Sequence, residues 1–281
     1  MIDEQPAKRV ALVLSDIDGT LLDNDKQLTP GAPAAVRRLY QAGIRFTLAS
    51  ARPPRLTREL VRAIHVSEPI ACFNGALFVG SDETVLHQLP MSSSDAQTVA
   101  DHIFRHGFDL WVYTGSDWYV SNPNGPHVEH QEELMQAKAT PLNSHDMSRF
   151  LVLKMVGVSD DYDALAEAEK RMADLCCMSI SATRSSPYYL DVTDAKANKG
   201  EVVLALSKML GILREQIATI GDMNTDVLMF RQSGMSIAMG NALDNVKAQA
   251  KFVTKSNEED GFAYAMDHFV LGLDEEHAAA D

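Results

Sequence analysis

Two acidic residues follow a short apolar segment near the start of the sequence. Residues 10–22 read VALVLSDIDGTLL, so Asp16 and Asp18 are separated by a single isoleucine. If the apolar residues form a buried strand, that strand delivers both carboxylates to one edge of a sheet. Their mutual repulsion must be offset there by positive charge, and a metal ion is the first candidate.

Residues of the same kind follow other strand-like stretches. IRFTLAS ends at Ser50, QIATIGD ends at Asp222, and Lys199 opens a predicted helix. The alternation of strand-like and helix-like patterns predicts a mostly parallel α/β sheet. Ligands gather at the carboxyl ends of strands in such sheets. We therefore expect Asp16, Asp18, Ser50, Asp222 and Lys199 to meet in one site.

Each motif also has a purely structural explanation. SDIDGT could be a tight turn, although a calcium loop is excluded because Gly19 and Gln27 stand at the wrong positions. Ser50 could cap the next helix, with Pro53 in its first turn, and still donate its hydroxyl to a bound phosphate. Arg52 could bind the same anion or lie at the surface.

Charged residues at two predicted helix starts also have a structural explanation. Lys199 could be a solvated lysine, but the helix dipole disfavours a cation in the first turn unless negative charge faces it. In IGDMNTD, Asp222 and Asp226 are four residues apart, and Asp226 can stabilise a helix start by itself. His102 and His106 share a predicted helix but have no third ligand at a recognisable spacing.

The length of 281 residues predicts two domains. From about Thr84 to Tyr189 the pattern changes to mixed strands and helix, with polar, turn-rich edges. We therefore predict a parallel-sheet core formed by residues 1–84 and 190–281, and an inserted α/β cap domain over residues 85–189. The fold class is α/β with an inserted α+β domain.

Composition excludes several classes of partner. The formal net charge of −14 argues against binding to nucleic acid or to a membrane surface. The N-terminal apolar run is too short for a signal peptide or a membrane span. Cys72, Cys176 and Cys177 are odd in number and suit reduced thiols. We expect a cytoplasmic protein.

The ordered motifs resemble those of the haloacid dehalogenase superfamily of phosphatases, in particular its Cof-like group. SDIDGTLL is similar to the first motif, LASARP to the second, NKG to the third and GDMNTD to the fourth. FNGA at 73–76 and MGNA at 239–242 extend the likeness. The resemblance spans nearly the whole chain. It implies a Rossmann-like core with a cap inserted between the second and third motifs.

The resemblance also implies roles for the residues. Asp16 would be the nucleophile that takes the phosphoryl group, Asp18 would protonate the leaving alcohol and then activate water, and Lys199 would neutralise charge. Mg²⁺ would bind the Asp16 and Asp222 carboxylates and the Asp18 backbone carbonyl. The phosphate or substrate contacts would come from these residues: Ser50, Arg52, Asn74, Lys199 and Asn224.

One position departs from the family pattern. The fourth motif commonly ends in Asn-Asp, whereas Thr225 precedes Asp226 here and Asn224 stands one residue earlier. A phosphate contact of that Asn could therefore fall to either residue. The implied substrate is a small phosphate ester, first of all a sugar phosphate. A phosphomutase of the same superfamily and a non-catalytic phosphometabolite sensor are the alternatives.

Overall fold

The computed structural model describes residues 9–115, 117–175 and 179–273. Cys176, Cys177 and the N-terminal residues 1–8, on which some of the expectations above rest, lie outside these ranges. The first part of the chain comprises β1 (Leu12–Ser15), α1 (Ala32–Gln41), β2 (Arg45–Leu48), α2 (Pro54–Ala63), β3 (Ile70–Cys72), β4 (Leu77–Val79) and β5 (Val85–Gln88).

The middle of the chain contains most of the antiparallel strands. Its elements are α3 (Ser93–Arg105), β6 (Asp109–Tyr113), β7 (Trp118–Val120), α4 (Val128–Met135), β8 (Thr140–Pro141), β9 (Lys154–Val158), α5 (Tyr162–Leu175), β10 (Ile180–Ser186) and β11 (Tyr189–Asp194). Ser92 caps α3 by accepting a hydrogen bond from the Asp95 amide.

The last part of the chain returns to strand and helix alternation. Its elements are α6 (Lys199–Leu210), β12 (Ile217–Gly221), α7 (Val227–Gln232), β13 (Met235–Ala238), α8 (Asp244–Lys247), β14 (Phe252–Val253) and α9 (Gly261–Ala265). A π-helical turn over Met266–Leu271 continues α9.

The core is a parallel sheet in the order β14, β13, β12, β1, β2. Every residue of β1 and of β12 is buried, as expected for central strands covered on both faces. A parallel bridge between Ala49 and Ala71 joins β2 to β3, and β4 and β5 extend this edge in antiparallel fashion. The carboxyl ends of β1, β2 and β12 therefore lie side by side.

The inserted cap contains a six-stranded sheet in the order β10, β11, β9, β6, β7, β8. Its pairs are antiparallel except for β7 with β8. The predicted fold class, a parallel α/β core with an inserted α+β cap, is confirmed. The boundaries at 84/85 and 189/190 stay predictions: residues 85–88 pair with β4, and residues 189–194 pair within the cap sheet.

Candidate active site

Backbone geometry places the predicted site residues at one edge of the core sheet. Asp16 directly follows β1 and Asp222 directly follows β12, its parallel neighbour. On the other side of β1, the Ala49 amide donates to the Ser15 carbonyl at 2.9 Å. Ser50 therefore leaves β2 beside the point where Asp16 leaves β1.

Lys199 brings two of the acids together. Its Nζ lies 2.5 Å from Asp16 Oδ1 and 2.5 Å from Asp226 Oδ1, and all three side chains are buried. Lys199 is the first residue of α6, whose N-cap Asn198 accepts a hydrogen bond from the Glu201 amide. The cation at this helix start therefore faces negative charge, which offsets its unfavourable interaction with the dipole.

Asp226 contributes more than the sequence indicated. Its Oδ2 accepts hydrogen bonds from the backbone amides of Asp222 and Met223, at 2.9 and 2.8 Å, while its Oδ1 binds Lys199. A Cβ at Gly221 would lie 2.4 Å from its Cγ, so glycine is needed there. The four-residue spacing of Asp222 and Asp226 in GDMNTD is the available signal, but the same spacing is explained by an acid that stabilises a helix start. Asp226 instead ties Lys199 to the loop that carries Asp222.

The cluster holds more negative than positive charge. One carboxylate oxygen from each of Asp16, Asp222 and Asp226 lies within 4.8 Å of the other two. Burial raises the pKa of Asp16, with Lys199 opposing the rise and Asp226 adding to it. Burial and then the charge of Asp226 also raise the pKa of Asp222. Within the described ranges one ammonium, that of Lys199, is ion-paired with members of this cluster, namely Asp16 and Asp226.

This donor set fits a divalent cation. Carboxylate oxygens are the ligands that Mg²⁺ and other hard cations prefer, and a charge of +2 would balance three carboxylates and one ammonium. The loop after β1 also approaches Asp222 closely: Gly19 has φ +76° and no room for a side chain. The side-chain amide of Asn241 donates a hydrogen bond from Nδ2 to the Gly19 carbonyl oxygen at 2.9 Å. This bond joins the loop to the chain after β13.

Asp18 lies in a different environment from Asp16. Arg52 binds its carboxylate in a bidentate manner, with Nε to Oδ2 at 2.8 Å and Nη2 to Oδ1 at 2.6 Å, and Lys26 adds a contact at 3.1 Å. Burial would raise the pKa of Asp18, but Arg52 and Lys26 outweigh it and hold the pKa below its ordinary value. The two acids of the first motif therefore have pKa values shifted in opposite directions, a pattern typical of residues with different roles.

The loop containing Ser50 and Arg52 is braced by a second loop. The amides of Phe73 and Asn74 donate to the carbonyls of Arg52 and Ser50, at 3.2 and 2.8 Å, and Asn74 adopts φ 56°. The Ser50 hydroxyl accepts a hydrogen bond from the Arg52 amide at 3.2 Å. The helix-capping role considered for Ser50 is wrong, because the N-cap of α2 is Pro53 and the helix begins at Pro54.

The remaining candidates are not part of the buried cluster. Asn224 and Thr225 are exposed, and Asn224 Oδ1 accepts a hydrogen bond from Asn245 at 2.7 Å. The guanidinium of Arg52, which the sequence assigned to an anion, is paired with Asp18. The structure thus brings together Asp16, Lys199 and Asp222 with Asp226. It places Ser50, Arg52 and Asn74 in adjoining loops.

Comparison with known proteins identifies the family. The model for haloacid dehalogenase-like hydrolases matches residues 13–266. The chain therefore belongs to the haloacid dehalogenase-like hydrolases, and the resemblance inferred from its motifs is confirmed.

Two relatives and one solved structure agree with this assignment. The 5-amino-6-(5-phospho-D-ribitylamino)uracil phosphatase YwtE of Bacillus subtilis (strain 168) is 27% identical, over 92% of this chain and 97% of the relative. A phosphoglycolate phosphatase of Methanobrevibacter smithii is 25% identical, over 91% and 97%. A haloacid dehalogenase-like hydrolase from Bacteroides thetaiotaomicron, 25% identical, superposes with a TM-score of 0.82 over 93% of this chain and 100% of that one. The protein is an enzyme, a phosphatase acting on phosphorylated substrates.

Among the described residues, no helix is both long and apolar enough to cross a bilayer.

The close approach at Gly19 can be tested with a matched pair of variants. Gly19 and Gly43 have nearly the same backbone conformation, φ +76° and +73°, but a Cβ at Gly19 would lie 2.5 Å from Asp222 Oδ2, whereas one at Gly43 meets no atom of the described residues within 4 Å. We expect Gly43→Ala to cost about 1–2 kcal/mol of backbone strain and to keep full activity. Gly19→Ala should cost more and reduce phosphate release by about 100-fold, because it displaces Asp222. Urea unfolding and phosphate release measure both effects, and equal behaviour of the two variants would contradict the role given to Gly19.

Proposed function

We propose that the protein hydrolyses a small phosphorylated metabolite, foremost a sugar phosphate, in a Mg²⁺-dependent reaction that passes through an aspartyl-phosphate on Asp16. The observation that carries this proposal is the cluster of buried Asp16, Lys199 and Asp226 with half-buried Asp222. A buried lysine held by two acids, with a third acid beside them, supplies the charge pattern that phosphoryl transfer needs.

Asp16 is the group suited to attack phosphorus. A carboxylate oxygen forms the new bond to phosphorus as the bond from phosphorus to the leaving oxygen breaks, which splits hydrolysis into two easier steps. Lys199 holds the Asp16 carboxylate in place at 2.5 Å and offsets the charge that gathers around it. The acids Asp16 and Asp222, with the Asp18 carbonyl or Asp226, would hold Mg²⁺. Such an ion would lower the repulsion between an anionic nucleophile and an anionic phosphate.

Asp18 is assigned the proton transfers. In the first step it gives a proton to the leaving alcohol oxygen, and in the second it takes a proton from the water that attacks the aspartyl-phosphate. Its pairing with Arg52 and Lys26 favours the ionised form, which is the form needed to accept a proton from water. The donor role requires that these contacts weaken when substrate phosphate competes for Arg52.

Support for a small substrate comes from the cap and from the relatives. Tyr113 of the cap lies 5.5 Å, between ring centroids, from Phe73 in the loop that braces Ser50, so the cap contacts the core beside the site, where it can exclude water from a bound substrate. The names of both relatives above describe small phosphate esters. A cytoplasmic location is part of the proposal. Cys72 agrees with this location, because it is a free thiol. It is fully buried, and burial raises its pKa to about 12.

Phosphate release tests this function. The wild type is assayed with sugar and cofactor phosphates in MgCl₂, then in EDTA, then with Mg²⁺ restored, with NaCl as the control for ionic strength. We expect release without any sugar bisphosphate activator, a fall of at least about 100-fold in EDTA, and recovery with Mg²⁺. Undiminished release in EDTA would contradict the metal dependence. Release only with a bisphosphate would indicate a mutase, and no release from any ester would indicate a sensor.

A further inference from the structure

The cap sheet has two chemically different faces. Side chains alternate along each strand, and one face packs on α3 and α5 through apolar residues such as Leu110, Val112 and Met155. The opposite face joins the hydrophobic cluster of the core. It carries aromatic and charged side chains, namely Trp111, Tyr113, Trp118, Lys154, Tyr189 and Asp191.

Lys154 and Asp191 form a buried ion pair on this second face. Nζ of Lys154 lies 2.5 Å from Asp191 Oδ2, and both side chains are almost inaccessible to solvent. They stand on the neighbouring strands β9 and β11. A buried ion pair is costly to desolvate, and apolar residues of similar volume often stabilise a fold as well or better. Fold stability alone therefore gives little reason for placing this pair between aromatic side chains.

The pair lies against the loop that carries the predicted phosphate contacts. Lys154 Nζ is 3.5 Å from the carbonyl oxygen of Ala51, the residue between Ser50 and Arg52. This contact joins the cap to the core loop that leaves β2 next to Asp16. On the proposed function, a leaving group that extends from a phosphate at Asp16 toward the cap passes this loop, and the cap side chain that contacts the loop is that of Lys154, the partner of Asp191.

The chemistry of the pair suits hydroxyl groups. An ammonium only donates hydrogen bonds and a carboxylate only accepts them, whereas a hydroxyl does both. Tyr113 adds a neutral hydroxyl nearby: burial, and next the charge of Asp191, raise its pKa, while Gln131 hydrogen-bonds to it. The net charge of Lys154 with Asp191 is zero. A leaving group with its own carboxylate or phosphate would gain no net attraction and would face the Asp191 carboxylate.

We propose that Lys154 and Asp191 form the subsite for the leaving group and select uncharged, polyhydroxylated leaving groups over anionic ones. This inference rests on the proposed phosphatase function, since it assigns the part of the substrate released from phosphate. Neither residue takes part in bond making at phosphorus. Both are specificity residues.

Binding to two probe esters tests the subsite without turnover. Sorbitol 6-phosphate has an uncharged polyol leaving group, and 2-phosphoglycolate has an anionic one. Their affinities are measured by calorimetry in MgCl₂ with the Asp16→Asn protein, alone and combined with Asp191→Asn. We expect the Asp16→Asn protein to bind sorbitol 6-phosphate more tightly than 2-phosphoglycolate. Adding Asp191→Asn should lower this preference by about tenfold or more. One of the two carboxylate acceptors is lost, and the positive charge of Lys154 is no longer balanced.

Two further variants separate recognition from structure. Glu169→Gln neutralises the acid of the more exposed Arg184–Glu169 pair in the same domain and should leave the preference unchanged. The double variant Lys154→Met with Asp191→Leu replaces the buried pair by apolar side chains of similar volume, so it should fold and also lose the preference. Equal changes in both affinities, or an unchanged ratio in a folded Asp191 variant, would overturn the inference and leave the pair a purely structural contact.

The same proteins distinguish a failure of this inference from a failure of the proposed phosphatase function. The wild type is assayed for phosphate release from p-nitrophenyl phosphate, whose leaving group makes little demand on a polyol subsite. Release from this ester together with no preference for sorbitol 6-phosphate overturns the subsite and keeps the phosphatase. A preference that depends on Asp191, in a wild type that releases no phosphate, supports the subsite as a binding site and overturns the hydrolytic function.

Discussion

Asp16→Asn is expected to lower phosphate release by about 10⁴-fold or more, because an amide cannot act as the nucleophile that the carboxylate provides. The substitution keeps the shape of the side chain. Burial already disfavours the charged form of Asp16 and raises its pKa, so a neutral side chain should fit without loss of fold. We expect the melting temperature to be equal to that of the wild type or higher.

The control for Asp16→Asn is an acid outside the cluster. Asp267 is also buried and forms a bidentate pair with Arg38, at 2.8 and 2.7 Å, but it lies away from the site. Asp267→Asn should lose stability while its activity per folded molecule stays near the wild-type value. Steady-state rates and thermal unfolding compare the two variants. An Asp16→Asn protein that keeps a tenth of the wild-type rate would exclude Asp16 as the nucleophile.

Lys199→Met should have the second largest effect. It leaves Asp16 and Asp226 without their shared cation in a buried site. Removing one partner of a buried ion pair costs about 3–5 kcal/mol of unfolding free energy, and loss of a preorganised charge at the reacting group lowers kcat by about 10³-fold. Urea unfolding and rates measured on the folded protein give both quantities.

An exposed lysine provides the comparison for Lys199. Lys138 pairs with Glu132 at 2.6 Å, but its side chain is 88% exposed. Lys138→Met should therefore change the unfolding free energy far less than Lys199→Met does and leave the rate unchanged. If Lys199→Met behaves like Lys138→Met, then the buried cluster has neither the stabilising nor the electrostatic role assigned to it.

The sequence predicted those features that depend on local pattern and on sheet geometry. Strand-like stretches ending at Asp16, Ser50 and Asp222 identified the site edge, because parallel strands bring their carboxyl ends together. Lys199 was singled out because a cation is unfavourable at a helix start. The change of pattern after Thr84 indicated the inserted domain.

The contacts that the sequence did not predict join residues far apart in the chain. Arg52 and Asp18 are separated by 34 positions, and Lys154 and Asp191 by 37; nothing local selects these pairs among the many possible charge pairs. The position of Asp226 at a predicted helix start is explained by the helix dipole alone. The sequence therefore provided no reason to expect its contact with Lys199. Ser50 does not cap α2, because the helix begins at Pro54, three residues after the start that a Ser50 cap would require.

Direct detection of the phosphorylated side chain tests the central claim most closely. The protein is mixed with substrate and Mg²⁺, quenched in acid within one turnover, and treated with borohydride, which reduces an aspartyl-phosphate to homoserine. Asp18→Asn is included, because loss of the group that activates water should let the intermediate accumulate. The expected result is homoserine at position 16 alone, absent without substrate. Turnover with no modification at position 16 in either protein, or modification at another acid, would contradict Asp16 as the nucleophile.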